Sequence, residues 1–344
     1  MLLGSYGSPE MTPREIFLAA LGRRRTPRAA TGSATSVVTT DLMEHVGVFF
    51  PEANLDPEAM ASLAQAGNAV LGLDNVMPLF GVWHESEALG CEVDWGAPSR
   101  MPDCRKPLLR VGQSIRLPPD LLTRRGCRVP LEAIRLLRKR LGAEVAVVGK
   151  VFGPWTLGYH LFGVQEFLMN TLLQPQEIRK ALRRLMEVTV AFGRAQVEAG
   201  ADALCLGDHA TRDLCSPLAY RDFLAEIHGE LMQRLGCPVI LHICGDTRDR
   251  IPYIRETGVA CFHFDSKVSA PEARRLAGAR MSLMGGTSNL SVVRAGTPED
   301  IRRDVAEKHA AGVDILGPEC AVPLDAPWRN LAALAREAKS LPVS

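Results

Sequence analysis

The stretch Val239-Ile240-Leu241-His242-Ile243-Cys244-Gly245-Asp246 is an apolar run interrupted by a histidine and a cysteine and closed by a turn. Its length and composition read as a buried strand. Side chains alternate along a strand, so His242 and Cys244 project to one face, about 6.5 to 7 Å apart. Such a pair is either two ligands of a metal or part of a core strand with a satisfied histidine and a buried thiol. Taken alone, the stretch leaves both readings open.

Working outward, an amphipathic helical stretch, 217–236, precedes this strand, and the same order recurs along the chain. Helical stretches 57–66, 131–141, 175–200, 247–258, 271–278 and 298–312 precede apolar strands 69–73, 144–149, 203–208, 259–264, 281–285 and 313–317, and 327–340 closes the chain. With a first strand in the small, β-branched run 29–40, the count of strands is eight. Near-continuous apolar strands alternating with helices that end in glycine are the pattern of a parallel sheet covered by helices. The fold class expected is α/β, a (β/α)8 TIM barrel, with 1–344 forming one domain. Segment 8–23, with Thr12-Pro13 at its start, predicts a helical lead-in. Segment 74–130, rich in Trp, Pro and Arg, is a long excursion between strands 2 and 3 whose Trp83 and Trp95 either form part of a docking rim or pack over the barrel. The arginine run at 23–25 reads as a solvated turn.

The 344 residues are 47% hydrophobic and 23% charged, ample for a large core. Forty basic against 39 acidic residues leave a net charge of +1, which gives no electrostatic reason to expect nucleic acid or an anionic membrane. Nine cysteines are scattered without a CxxC, several inside apolar runs, as suits reduced thiols in a cytoplasmic protein. No basic-then-apolar leader and no membrane-length apolar run occurs, so a soluble, unprocessed chain is expected. Dinucleotide, P-loop and nucleophile-elbow motifs are missing after the strands. Gly285-Gly286-Thr287-Ser288 offers backbone N–H groups to an anion, or simply lets a strand turn.

Barrel enzymes draw their active sites from the C-terminal ends of strands. Those ends carry Asp208 and His209 on the fourth strand, His242 and Cys244 on the fifth, and His263 and Asp265 on the sixth. The seventh brings Thr287, Ser288 and Asn289, and the eighth Glu319 and Cys320. His242, Cys244 and Cys320 together would offer one nitrogen and two sulfurs. That donor set suits zinc, and three protein ligands leave a fourth position for substrate.

His242-Ile243-Cys244-Gly245-Asp246, with Cys320 in Asp314-Ile315-Leu316-Gly317-Pro318-Glu319-Cys320 before a terminal helix, resembles the HxC…C zinc signature of the methylcobamide:coenzyme M methyltransferases. These form a branch of the uroporphyrinogen decarboxylase superfamily. The likeness extends to Glu87-Ala88-Leu89-Gly90-Cys91, Ala199-Gly200-Ala201-Asp202, Gly296-Thr297-Pro298-Glu299-Asp300 and Ala311-Gly312-Val313-Asp314, which recur across the superfamily. The resemblance implies zinc on His242, Cys244 and Cys320. It also implies an enzyme of one-carbon metabolism that moves a methyl group from a methylated corrinoid, carried by a corrinoid protein, to a zinc-activated thiol such as coenzyme M. Asp265 stands where the family carries a glutamate close to zinc, and is a candidate fourth ligand or an orienting group. Asp208, His209, Ser288 and Asn289 are candidates for contacts to substrate or corrinoid. Glu319 replaces a small residue, and its charge would disfavour a sulfonate beside the metal, so another thiol or tetrahydrofolate is an alternative acceptor. A cofactor-free decarboxylase is the other alternative. That chemistry has no use for the HxC…C set, and 29–40 lacks the arginine of the decarboxylase signature.

Overall fold

The computed structural model describes residues 11–104 and 106–341, so residues 8–10 of the expected lead-in helix lie outside it. The strands are β1 (Ala30–Thr31), β2 (Asn75–Val76), β3 (Ala146–Phe152), β4 (Ala203–Gly207), β5 (Val239–His242), β6 (Cys261–Phe264), β7 (Ser282–Gly285) and β8 (Ile315–Leu316). They pair in parallel in the order β1-β8-β7-β6-β5-β4-β3-β2, the expected (β/α)8 arrangement.

Among the described residues, β1 and β2, the two ends of that order, share no regular ladder. Side chains close the seam between them. The Asp74 N–H donates to Thr31 O at 2.9 Å, and the Asp74 carboxylate accepts from Thr31 N at 3.0 Å. The Asn75 amide accepts from Ser33 N at 3.0 Å and donates to Ser33 O at 2.8 Å. On the other side of β1 the chains approach so closely that a Cβ on Gly317 would run into the Gly32 carbonyl oxygen.

The lead-in helix, Pro13–Leu21, starts from a capping box in which Thr12 and Glu15 each satisfy the other's backbone N–H. Its buried face of Ile16, Phe17, Ala19, Ala20 and Leu21 plugs the N-terminal end of the barrel. Ser282 of β7 donates to Ala20 O at 3.0 Å, and Arg14 pairs with Asp202 at 2.9 Å. The outer helices follow the same chemistry: Pro175–Ala199 and Pro298–Ala310 begin with proline in the first turn, and each turns an apolar stripe inward.

One expectation requires correction. Residues 69–73 do not form the second strand. The preceding helix, Pro57–Ala69, runs into them, and Leu71 and Leu73 pack with Leu331 and Ala335 of the closing helix, outside the barrel. An apolar run has no period that distinguishes a strand from the end of a buried helix. Of the two readings of Trp83 and Trp95, packing is the one observed. Trp83 stacks on His160 with ring centroids 3.8 Å apart, and Trp95 is buried against His84 at 5.0 Å. The excursion around them holds the helix His84–Leu89 and a hairpin of Val93–Asp94 with Asp103–Cys104, and ends where the helix Arg125–Leu141 begins. Two further helices, Pro154–Phe162 and Val164–Leu173, follow β3. Among the described residues no helix is long and apolar enough to cross a membrane.

Candidate metal centre

β5 ends at His242, and Gly245, with φ +83, turns the chain immediately after Cys244. β8 ends two residues before Pro318, and the loop that follows carries Cys320 back over the same mouth. His242 Nε2 lies 3.0 Å from Cys244 Sγ and 3.4 Å from Cys320 Sγ, and the two sulfurs are 3.2 Å apart. Among the described residues this is the one group of three or more His, Cys, Asp and Glu ligand atoms gathered closely enough to hold a metal ion.

The donor set fits zinc. In a tetrahedral site with ordinary bond lengths, sulfur–sulfur and nitrogen–sulfur separations are ~3.8 and ~3.6 Å, so a zinc ion needs the three contacts to open by about 0.2 to 0.6 Å. The imidazole is already oriented for it. His242 Nδ1 lies 3.3 Å from His263 O, a carbonyl that can only accept, so Nδ1 carries the proton and Nε2 turns its lone pair toward the sulfurs. The mutual contact of the thiols pushes Cys320 well below and Cys244 above the ordinary thiol range. Binding a metal here would require both sulfurs as thiolates.

The surrounding residues hold the ligands in place. His263 donates through Nε2 to Pro318 O at 2.8 Å and so anchors the loop that delivers Cys320. Burial, followed by the field of His242, pushes its pKa down to about 3, which keeps the ring neutral. Gly285 lies flat against this ring; a Cβ there would collide with it. The glycine pair after β7 therefore serves close packing. Asp265 accepts from Gly245 N at 2.8 Å and from Lys267 N at 2.9 Å, which fixes the turn beside Cys244. Asn289 donates to Cys320 O at 3.2 Å and to Ala321 O at 2.9 Å. Glu319 accepts from Ser266 N at 2.8 Å and Asn289 N at 2.7 Å, so its charge is taken up in tying the ends of β6, β7 and β8 together.

The remaining residues at the strand ends separate into two groups. Asp208 is fully buried, with one oxygen held by Thr156 and the other 3.0 Å from His228 Nε2, whose other nitrogen meets Tyr220 OH at 2.9 Å. That network leaves Asp208 no face toward the mouth. Ser288 caps the turn at Asn289–Arg294 by accepting from Ser291 N at 3.3 Å. His209, next to Asp208, meets the Phe152 ring edge-on at 5.9 Å, and after burial His242 is the strongest influence lowering its pKa. Sequence reading missed Lys150 of β3, which is 4% exposed inside the barrel. A lone lysine in the otherwise apolar run Ala146-Val147-Val148-Gly149-Lys150-Val151-Phe152 was the available signal.

A family model for uroporphyrinogen decarboxylase (URO-D) matches residues 12–341. The chain belongs to the URO-D family. Its relatives within that family include methyltransferases. It is 33% identical to a methylated-thiol–coenzyme M methyltransferase of Methanosarcina mazei, over 97% of this chain and 91% of that one. It is 30% identical to a methylcobamide:CoM methyltransferase, MtaA, of Methanosarcina barkeri, over 94% of this chain and 97% of the other. A solved methyltransferase from Methanosarcina mazei superposes with a TM-score of 0.92 at 30% identity, covering 96% of this chain and 98% of its own. The URO-D fold is thus shared end to end.

Proposed function

We propose that this URO-D family member is a zinc-dependent methyltransferase that moves a methyl group from a methylated corrinoid to a thiol such as coenzyme M. The observation that carries the reading is the meeting of His242, Cys244 and Cys320 within 4.8 Å at the C-terminal mouth of a barrel shared with methyltransferases. His242, Cys244 and Cys320 would hold the metal as one nitrogen and two sulfurs, a set that suits zinc with a fourth ligand from substrate. When bound, zinc supplies the Lewis acidity that keeps an acceptor thiol deprotonated at neutral pH. His263, Asp265 and Asn289 hold the three ligands from behind. The methylated corrinoid would supply an electrophilic methyl group, and the acceptor sulfur would supply the electron pair that takes it.

A corrinoid is large, so a carrier protein must bring it to the mouth. The loops and helices that follow β3, β4 and β7 offer a fitting surface. Met169, Leu172 and Leu173 are exposed on the helix after β3, Leu218 after β4 and Leu290 after β7. Large apolar side chains left in solvent around one end of a barrel suit a protein partner.

Mixing zinc-loaded protein with methylcobalamin and either coenzyme M, 2-mercaptoethanol or tetrahydrofolate, while following the cobalamin spectrum, tests the reading. Demethylation that requires both zinc and a thiol is expected. Demethylation with tetrahydrofolate alone would overturn the acceptor, and decarboxylation of uroporphyrinogen by metal-free protein would overturn the reaction.

A further inference from the structure

Lys150 is a buried ammonium without a counter-ion. Register places it level with Cys205 of β4 and Ile240 of β5, one strand layer below Phe152, Gly207 and His242. Its side chain climbs to that upper layer, where Nζ lies 4.9 Å from the centre of the Phe152 ring. The backbone cannot slide away, since Gln196 accepts from Lys150 N and donates to Lys150 O, both at 2.8 Å. Among the described residues its ammonium makes no ion pair and no hydrogen bond.

An unpaired charge in a barrel interior is costly, so what surrounds it matters. Burial pushes Lys150 down, and Cys205, Cys320, Glu85 and Cys244 push it back up, in that order. The field of Lys150 also reaches His84, His209 and His263. Two of the four acidic groups are poor counter-ions. Burial drives the Cys205 thiol up to about 12, so it stays neutral, and Glu85, driven up to about 7, spends one oxygen on Phe152 N at 2.7 Å. The remaining pair is Cys244 and Cys320.

We propose that Lys150 is a positioning residue that supplies the positive charge under which an acceptor thiol enters the site as an anion. The inference rests on the zinc reading above. Two thiolates and a neutral imidazole cancel the charge of a divalent ion, so a third thiolate brings the buried centre to one net negative charge. Lys150 returns that sum to zero. The thiol proton leaves to solvent, and the ammonium stays protonated throughout. The charge it answers is that of the sulfur, whatever else the acceptor carries.

The test is calorimetric binding of 2-mercaptoethanol and of 2-mercaptoethanesulfonate to zinc-loaded wild-type, K150M and K150R proteins, after zinc content and melting temperature are measured for each. The two thiols differ in tail charge and share the reacting sulfur. K150M is expected to keep its zinc and its melting temperature while losing affinity for both thiols by roughly 10- to 100-fold, with K150R restoring most of it. If K150M fails to fold, K150Q carries the same comparison. Unchanged affinity, or a loss confined to the sulfonate thiol, overturns the proposal, and so does K150M that no longer holds zinc. Wild-type protein that binds no zinc overturns the metal reading itself, a failure visible before any thiol is added.

Discussion

The two ends of the barrel treat buried polar groups in opposite ways. At the N-terminal end, Asp74, Asp202 and Asp314 stand just before β2, β4 and β8 and repeat one arrangement. The backbone N–H of each donates to a carbonyl on the neighbouring strand, at Thr31, Val147 and Leu283, and its carboxylate accepts the N–H of that same residue. Each is also matched to arginine: Asp74 to Arg28, Asp202 to Arg14 and Arg138, Asp314 to Arg23 and Arg274. At the C-terminal end two sulfurs and an imidazole nitrogen face one another, and a lysine beneath them is unpaired. Satisfied groups mark where the fold is held, and incompletely satisfied ones mark where chemistry is expected.

That contrast can be broken in four places. Cys244→Ala or Cys320→Ala is expected to reduce zinc from about one per chain to near none and to abolish thiol-dependent demethylation, with little change in the stability of the metal-free protein. Metal analysis beside a melting curve reads both. At the other end, Asp74→Ala leaves Arg28 without its partner and opens the β1–β2 seam. Urea unfolding should show a loss of about 3 to 5 kcal/mol, while the folded protein retains its zinc affinity.

Acid should act mainly through groups on the mouth side. Burial pushes His84, His160 and His263 from 6.5 down to about 3, so below pH 6.5 the unfolded chain takes up protons at these rings that the folded one refuses. Stability therefore falls as pH drops through that window. Glu85, raised from 4.5 to about 7 by burial, works in the opposite sense, because there the folded state binds the extra proton. Three groups against one leave a slope of about 2 to 3 kcal/mol per pH unit between pH 6.5 and 4.5, measurable by urea titration across that range. The smallest effect expected is from His263→Leu, which removes the tether on Pro318 and leaves all three ligands present. Competition with a chelator should show zinc affinity down about 10- to 100-fold.

Much of this was legible in the chain. The alternation of elements gives the barrel, whereas the Gly-x-Asp step in Leu71-Gly72-Leu73-Asp74, Ala199-Gly200-Ala201-Asp202 and Ala311-Gly312-Val313-Asp314 was a signal of the seam carboxylates that went unread. His242 and Cys244 could be paired from strand periodicity, and Cys320 joined them once β8 was placed. The second strand escaped because its two residues follow a helix end as apolar as a strand. Asp208 and Glu319 looked available because a sequence shows a carboxylate and not its partners, which here come from Thr156, His228, Ser266 and Asn289. Lys150 escaped because the apolar run around it reads as ending at Gly149, one residue short.

X-ray absorption at the zinc edge of the metal-loaded protein, before and after addition of coenzyme M, tests the central claim most directly. The account predicts two sulfur neighbours and one imidazole nitrogen before addition, and three sulfurs with one nitrogen after it. A protein that takes up no zinc, or a coordination sphere that coenzyme M leaves unchanged, would contradict it.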